Sequence, residues 1–137
     1  MHSASASEIV GFHRLGLRLD DLVATQDELR RRTAGTVPEA IFERNGRRVA
    51  VEVKRLYRFS DLARLSLAGG TKVTPAVRDA FAVRTLVLVL AVRAATSQRA
   101  CRRLEERAIR LLAHADMSVP VQVAVIPMPD SVFDLDD

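Results

Sequence analysis

The chain has 137 residues and a formal net charge of +4, and 48% of its residues are hydrophobic. One domain is expected at this length, and the apolar content excludes a globally disordered chain. The single cysteine excludes an internal disulfide, and the three histidines are scattered without zinc spacing. The chain starts with a polar stretch, and its longest apolar runs are far shorter than the roughly 20 residues that span a membrane. These features predict a soluble, cytoplasmic protein.

The charges are unevenly distributed along the chain. Arginine supplies nearly all of the positive charge, because Lys54 and Lys72 are the only lysines, and the last eight residues contain four aspartates. A basic body followed by an acidic end favours an anionic partner such as DNA. Arginine-rich composition also accompanies GC-rich coding sequence, so composition alone leaves both explanations open.

The first half of the chain begins with a segment of uncertain structure at 1–19, in which 1–7 is a loose leader and 8–19 fits either a helix or a strand. A helix is expected from Asp20 to Arg32, since Asp20 can cap it and three arginines suit its C-terminal dipole. Strand-like runs at 38–44 and 47–55 flank Asn45-Gly46, the strongest short signal for a β-hairpin.

The second half of the chain alternates predicted helices and strands. Caps and apolar patterns place helices at 59–67, 74–82 and 97–115, and strands at 86–92 and 119–126. This order predicts an α/β fold in which helices flank a mixed central β-sheet. The predicted α/β domain covers 20–126, and 127–137 is an acidic C-terminal tail.

The hairpin places three ionisable residues together. With a two-residue turn, Glu39 lies opposite Glu52, and Lys54 follows on the same face because side chains alternate along a strand. The other face carries Phe42, Val51 and their apolar neighbours, and is the expected core side. Two opposed carboxylates repel each other and need a compensating cation.

Two carboxylates beside an ammonium fit a hard divalent ion. Mg²⁺ binds one or two carboxylates, and water and phosphate oxygens complete its shell. Such a site can polarise a phosphodiester and activate a water molecule, which Lys54 can help to orient. An exposed strand face that carries Glu and Lys for solubility is the alternative, and a bulge at the turn would shift the register by one residue.

The segment from Pro38 to Lys54, PEAIFERNGRRVAVEVK, resembles the PD-(D/E)XK nuclease superfamily, which has the restriction-endonuclease-like fold. The resemblance implies a Mg²⁺-dependent enzyme, with Mn²⁺ as a substitute, that cuts DNA phosphodiester bonds in repair, recombination, restriction or phage defence. Its acidic pair maps onto Glu39 and Glu52, and its lysine onto Lys54. The superfamily usually has Asp at the first position. The Val53 carbonyl is a further candidate metal ligand.

Other residues are candidates for supporting roles. Some members of the superfamily carry another acid on the first helix, for which Glu8 and Glu28 are candidates. Residues expected to contact DNA phosphates are Arg55, Arg58 and Lys72. The arginines of the 97–115 helix form either a solvated face or a patch for the DNA backbone.

The expected partners are DNA and either a second copy of the chain or a larger defence or mobile-element complex. The alternative function is a non-catalytic nucleic-acid-binding or assembly subunit that keeps the nuclease-like fold.

Overall fold

Five strands form one sheet in the order β1-β2-β3-β4-β5. The computed structural model describes residues 6–64, 73–115 and 117–134. The strands are β1 (Leu22–Thr25), β2 (Ala40–Arg44), β3 (Arg47–Arg55), β4 (Val83–Arg93) and β5 (Val121–Met128). The first three strands pair antiparallel, whereas β3-β4 and β4-β5 pair in parallel. The prediction of an α/β fold with a mixed central sheet is therefore confirmed.

Helices connect and cover these strands. They are α1 (Ala6–Arg14), α2 (Gln26–Arg32), α3 (Pro75–Phe81), α4 (Gln98–Ala113) and α5 (Ser131–Asp134), with 3-10 helices at Leu19–Asp21 and Phe59–Arg64. The expected caps are present, since the Thr74 and Ser97 hydroxyls accept hydrogen bonds from the first turns of α3 and α4. Within the described residues, no helix is both long and apolar enough to cross a membrane.

The predicted helix from Asp20 to Arg32 is wrong in its first half. Leu22–Thr25 is strand β1, and only the second half is helical. Thr25 caps α2 in place of Asp20, because its hydroxyl accepts the Glu28 N–H while the Glu28 carboxylate accepts the Thr25 N–H. Pairing with β2 thus overrides the local helical pattern.

The two ends of the chain add to the α/β unit. The segment at 8–19, whose sequence pattern fits either a helix or a strand, contains most of helix α1. At the other end, β5 continues to Met128, and Val132 and Phe133 of α5 are buried. The segment assigned to an acidic tail therefore begins with core residues. The 3-10 helix at Phe59–Arg64 covers the start of the helix expected at 59–67, whose end lies outside the described residues.

Both faces of the sheet are buried, although only one was expected to face the core. Phe42 and Val51 pack on the side of α1 and α5. Ile41 and Ala50 on the opposite side are also fully buried, beneath apolar residues of α2 and α3. The apolar side chains of α4 cover the same side further along β4. Glu52 on this second face is therefore enclosed, whereas Glu43 and Arg48, nearer the turn on the same face, remain at the surface.

Ala82 ends α3 in the left-handed region, with φ 54° and ψ 42°. A side chain costs about 1–2 kcal/mol in this conformation. Ala82→Gly is therefore expected to raise the free energy of unfolding by about 1 kcal/mol. The same exchange at Ala80, inside the exposed face of α3, should lower it by about 1 kcal/mol. Urea denaturation of both variants checks the opposite signs, and a loss of stability at Ala82 would contradict the argument.

Candidate functional site

The β2-β3 turn determines which residues meet at the site. Asn45 and Gly46 both have positive φ, 53° and 75°, as a two-residue hairpin turn of type I′ requires. The pairs Arg44↔Arg47 through Ala40↔Val51 follow without a shift, so the predicted register is confirmed. β3 is longer than β2 and continues past the point where β2 begins.

Glu39 immediately precedes β2 and faces the part of β3 whose edge extends beyond β2. Its N–H donates to the Val51 carbonyl (3.2 Å), and its Oε2 accepts a hydrogen bond from the Val53 N–H (3.0 Å). The Glu39 carboxylate thus takes the place of a missing strand partner. The N–H and C=O of one strand residue point to the same edge, so the Val53 carbonyl shares the edge that Glu39 occupies.

Glu52 lies on the helix-covered face of β3 and is 0% exposed. The Nζ of Lys54 is 2.9 Å from its Oε2, and the Lys54 side chain retains 28% exposure. A buried carboxylate is strongly disfavoured without such a partner. The pair therefore connects a charge inside the fold to an ammonium that reaches the surface.

Burial, the hydrogen bond to the Glu52 carboxyl and the Glu52 charge together raise the pKa of Glu39 from 4.5 to about 10, and burial is the largest cause. The hydrogen bond from Val53 acts in the opposite sense but is a smaller effect. Without a cation, Glu39 holds a proton at neutral pH, because two carboxylates in contact do not both ionise readily. The two acids predicted from the register therefore do meet.

The structure distinguishes the two candidates for an additional acid. Glu8 on α1 is close enough for its charge to contribute to the raised pKa of Glu39, whereas Glu28 is engaged in the cap of α2.

An open cleft of about 400 Å³ extends from Glu39 and Glu8 along α1 and includes Gln26. Sequence reasoning missed Gln26, whose burial beside the cap follows only from the pairing of β1 with β2.

The oxygen atoms at this position suit a hard cation. The described residues contain no group of three or more His, Cys, Asp or Glu side chains arranged to hold a metal. The available donors are the Glu39 and Glu52 carboxylates and the main-chain carbonyl of Val53. An all-oxygen set with two carboxylates fits Mg²⁺, which usually keeps several waters in its shell. A bound cation would offset the repulsion that arises between the two carboxylates when Glu39 loses its proton.

Of the residues predicted to hold phosphates, Arg55 lies away from the acidic pair. Arg55 projects from the opposite face to Lys54, and its Nη1 is 3.5 Å from the Val132 carbonyl of α5. The side chain of Arg58 is exposed beyond the end of β3. Lys72 lies outside the described residues. The structure therefore brings together Glu39, Glu52, Val53 and Lys54, and does not bring Arg55 to them.

Comparison with known proteins finds no family model, no curated protein and no solved structure that matches the chain. The interpretation of the site therefore depends on its own geometry and on the motif in the sequence.

Proposed function

We propose that the protein is a Mg²⁺-dependent deoxyribonuclease of the PD-(D/E)XK type with a restriction-endonuclease-like fold. One observation carries the proposal. Glu39 and Glu52 are in contact where β3 extends past β2, and the Lys54 ammonium lies 2.9 Å from Glu52. Two carboxylates and a lysine, carried by β3 and by the residue that precedes β2, form the residue set that the sequence motif implies.

The surrounding fold supports the proposal. In chain order, α1 precedes three antiparallel strands, of which β1 and β2 are joined by α2. Helices α3 and α4 then each connect two parallel strands. Glu39 lies just before β2, and β3, which carries Glu52, continues past it while pairing in parallel with β4. The open cleft is lined by Glu39 and Glu8, so it reaches one of the two carboxylates of the pair.

The carboxylates of Glu39 and Glu52, with the Val53 carbonyl, would hold Mg²⁺. A bound Mg²⁺ supplies Lewis-acid polarisation of a phosphodiester and lowers the pKa of a bound water. The Val53 N–H orients the Glu39 carboxylate, and enclosure by helices holds the Glu52 carboxylate in place.

Lys54 contributes a charge that can act on the substrate. In hydrolysis, the oxygen of water forms a bond to phosphorus, and the bond between phosphorus and a sugar oxygen breaks. Negative charge grows on the phosphoryl oxygens during this exchange. The partly exposed ammonium of Lys54 can donate a hydrogen bond to one of these oxygens or to the attacking water, and thereby lower the barrier.

A cleavage assay with matched glutamate variants tests the proposal. Supercoiled, linear, branched and single-stranded DNA are incubated with Mg²⁺, Mn²⁺ or EDTA, and initial rates are measured. We expect metal-dependent cleavage that Glu52→Gln slows at least about a hundredfold, because the amide is a poor ligand for a hard cation. Glu43→Gln on the same hairpin is the control, since Glu43 forms only a surface pair with Arg48. No cleavage by the wild-type protein, or equal rates for Glu52→Gln, would contradict the proposal.

A non-catalytic DNA-binding subunit is the second candidate function. It is favoured by Glu39, which stands where the superfamily usually has Asp, and by the complete burial of Glu52. This function requires DNA binding in EDTA that weakens steeply with salt, together with no cleavage of any substrate. Failure to bind DNA at low salt would exclude it.

A further inference from the structure

A second cavity lies outside the acidic site. It has a volume of about 240 Å³ and forms where the outer side of α4 meets the 3-10 helix at Phe59–Arg64. Three arginines and one exposed phenylalanine dominate its lining: Arg99, Arg103, Arg107 and Phe59. Neither Glu105 nor Glu106 of α4 lines this cavity, so its charge is positive although α4 also carries acids.

The three arginines occur once per turn along one side of α4. A four-residue spacing places successive side chains about 6 Å apart along the helix axis. The opposite side of α4 is anchored, since Leu104 and Ala108 are buried against the sheet. The guanidinium groups therefore project from a fixed support in a row that can contact successive phosphates of one strand.

Phe59 is also held by a rigid support. Its side chain is 59% exposed. The Asp61 carboxylate accepts hydrogen bonds from the N–H groups of Tyr57 (3.1 Å) and Arg58 (3.0 Å), and Leu62 is 1% exposed in the same cluster as Leu104. The ring therefore presents an apolar surface beside three cations. A nucleobase can stack on such a ring only when it is unpaired.

The cavity and the acidic site lie on the same side of the sheet. Glu52 and Lys54 are paired across to Leu88 and Leu90 of β4, and neighbouring residues of paired strands share a face. Leu88 and Leu90 pack against α4. A strand bound along α4 therefore lies on the face that carries the Lys54 ammonium.

We propose that this cavity binds an unpaired segment of DNA, with Arg99, Arg103 and Arg107 on its phosphates and Phe59 stacked on a base. The choice of DNA as the ligand rests on the proposed function. The inference adds that the substrate is engaged through a single-stranded segment, which the acidic site by itself does not specify.

Fluorescence anisotropy with a labelled single strand of about 16 nucleotides, and with a duplex of the same sequence, tests this inference. Titrations are done in EDTA over a range of salt concentrations. Arg103→Ala is expected to reduce the slope of log K against log salt by about 0.7, the contribution of one phosphate contact on a single strand. Arg102→Ala is the matched control. Arg102 lies on the side of α4 that borders β5, and should leave the slope unchanged.

The Phe59→Ala variant separates the contribution of base stacking to DNA binding from the contribution of the arginine charges. We expect it to weaken single-strand binding about tenfold, to leave the salt slope unchanged and to leave duplex affinity unchanged. Circular dichroism of each variant verifies that it is folded, and Phe59→Leu provides a second apolar, non-aromatic replacement. Equal losses for single strand and duplex, or equal slopes for Arg102→Ala and Arg103→Ala, would overturn the inference.

The two proposals can fail independently. Binding is measured without metal, and repeating it in the Glu52→Gln background removes any cleavage. Single-strand binding that depends on Phe59 but occurs without nuclease activity supports this inference and contradicts the proposed enzyme. Metal-dependent cleavage with no effect of Phe59 or Arg103 on binding supports the enzyme and overturns this inference.

Discussion

Lys54→Met is expected to lower the free energy of unfolding by about 3–5 kcal/mol, because it leaves a buried carboxylate without its cation. Glu52 is 0% exposed, and its Oε2 lies 2.9 Å from the Lys54 ammonium. Urea denaturation at neutral pH measures the loss. The double variant Lys54→Met/Glu52→Gln should recover most of it, because the unpaired charge is removed as well. A single variant as stable as the wild-type protein would show that the pair contributes nothing to the fold.

Lys54→Arg separates the catalytic contribution of Lys54 from its structural one. The guanidinium keeps the positive charge beside Glu52, so we expect stability close to that of the wild-type protein. Its charge is spread over a planar group, and it cannot place a compact ammonium at the same point. Cleavage should therefore fall about a hundredfold, in the range found when one group that stabilises the transition state is removed. Full activity of this variant would contradict a role for the lysine beyond its charge.

Glu39→Gln is expected to stabilise the metal-free protein above neutral pH. Burial and the Glu52 carboxyl raise the pKa of Glu39 from 4.5 to about 10 in the folded state. The stabilising contribution of protonated Glu39 is therefore fully present below pH 4.5, and it is lost as the pH rises toward 10. A single group changes the free energy of unfolding by at most about 1.4 kcal/mol per pH unit. The glutamine amide stays neutral and keeps an oxygen to accept the Val53 N–H.

Thermal denaturation from pH 5 to pH 9 in EDTA measures this effect. The wild-type protein should lose stability with rising pH more steeply than Glu39→Gln, and Glu43→Gln should follow the wild-type curve. Mg²⁺ at pH 8 should raise the melting temperature of the wild-type protein and of Glu43→Gln, because it binds the ionised pair, but not that of Glu39→Gln. Parallel pH curves for wild type and Glu39→Gln would show that the two carboxyl groups do not interact.

Short sequence signals, such as helix caps and apolar runs, were sufficient to predict much of the fold. The Thr74-Pro75 and Ser97 caps and the apolar run of β4 specify their elements within a few residues, because each signal acts through adjacent backbone groups. β1 could not be predicted in this way, since four residues form a strand only because β2 pairs with them. The burial of Val132 and Phe133 likewise depends on contacts with distant strands.

For the candidate site too, some contacts could be predicted from the sequence and others could not. The contact between Glu39 and Glu52 follows from side-chain alternation and the Asn45-Gly46 turn, both of which are visible in the sequence. The hydrogen bond from the Val53 N–H to the Glu39 side chain could not be predicted in this way. It forms because β2 begins only at Ala40, so that β3 extends beyond it. The position of Arg55 near α5, and that of Phe59 beside the α4 arginines, depend on how helices pack on the sheet, which spacing along the chain does not encode.

The two-residue turn at Asn45 and Gly46 has a consequence for the tolerance of this chain to mutation. A shift of one residue in the hairpin register would move Glu52 to the face covered by α1 and separate it from Glu39. Positive φ at both turn positions is what maintains the register, and few residue types adopt it readily. A substitution at this turn is therefore harmful in two ways, although the turn is remote from the carboxylates. It destabilises the fold, and it moves Glu52 out of contact with Glu39. Over evolutionary time the turn should vary as little as the acidic residues that it aligns.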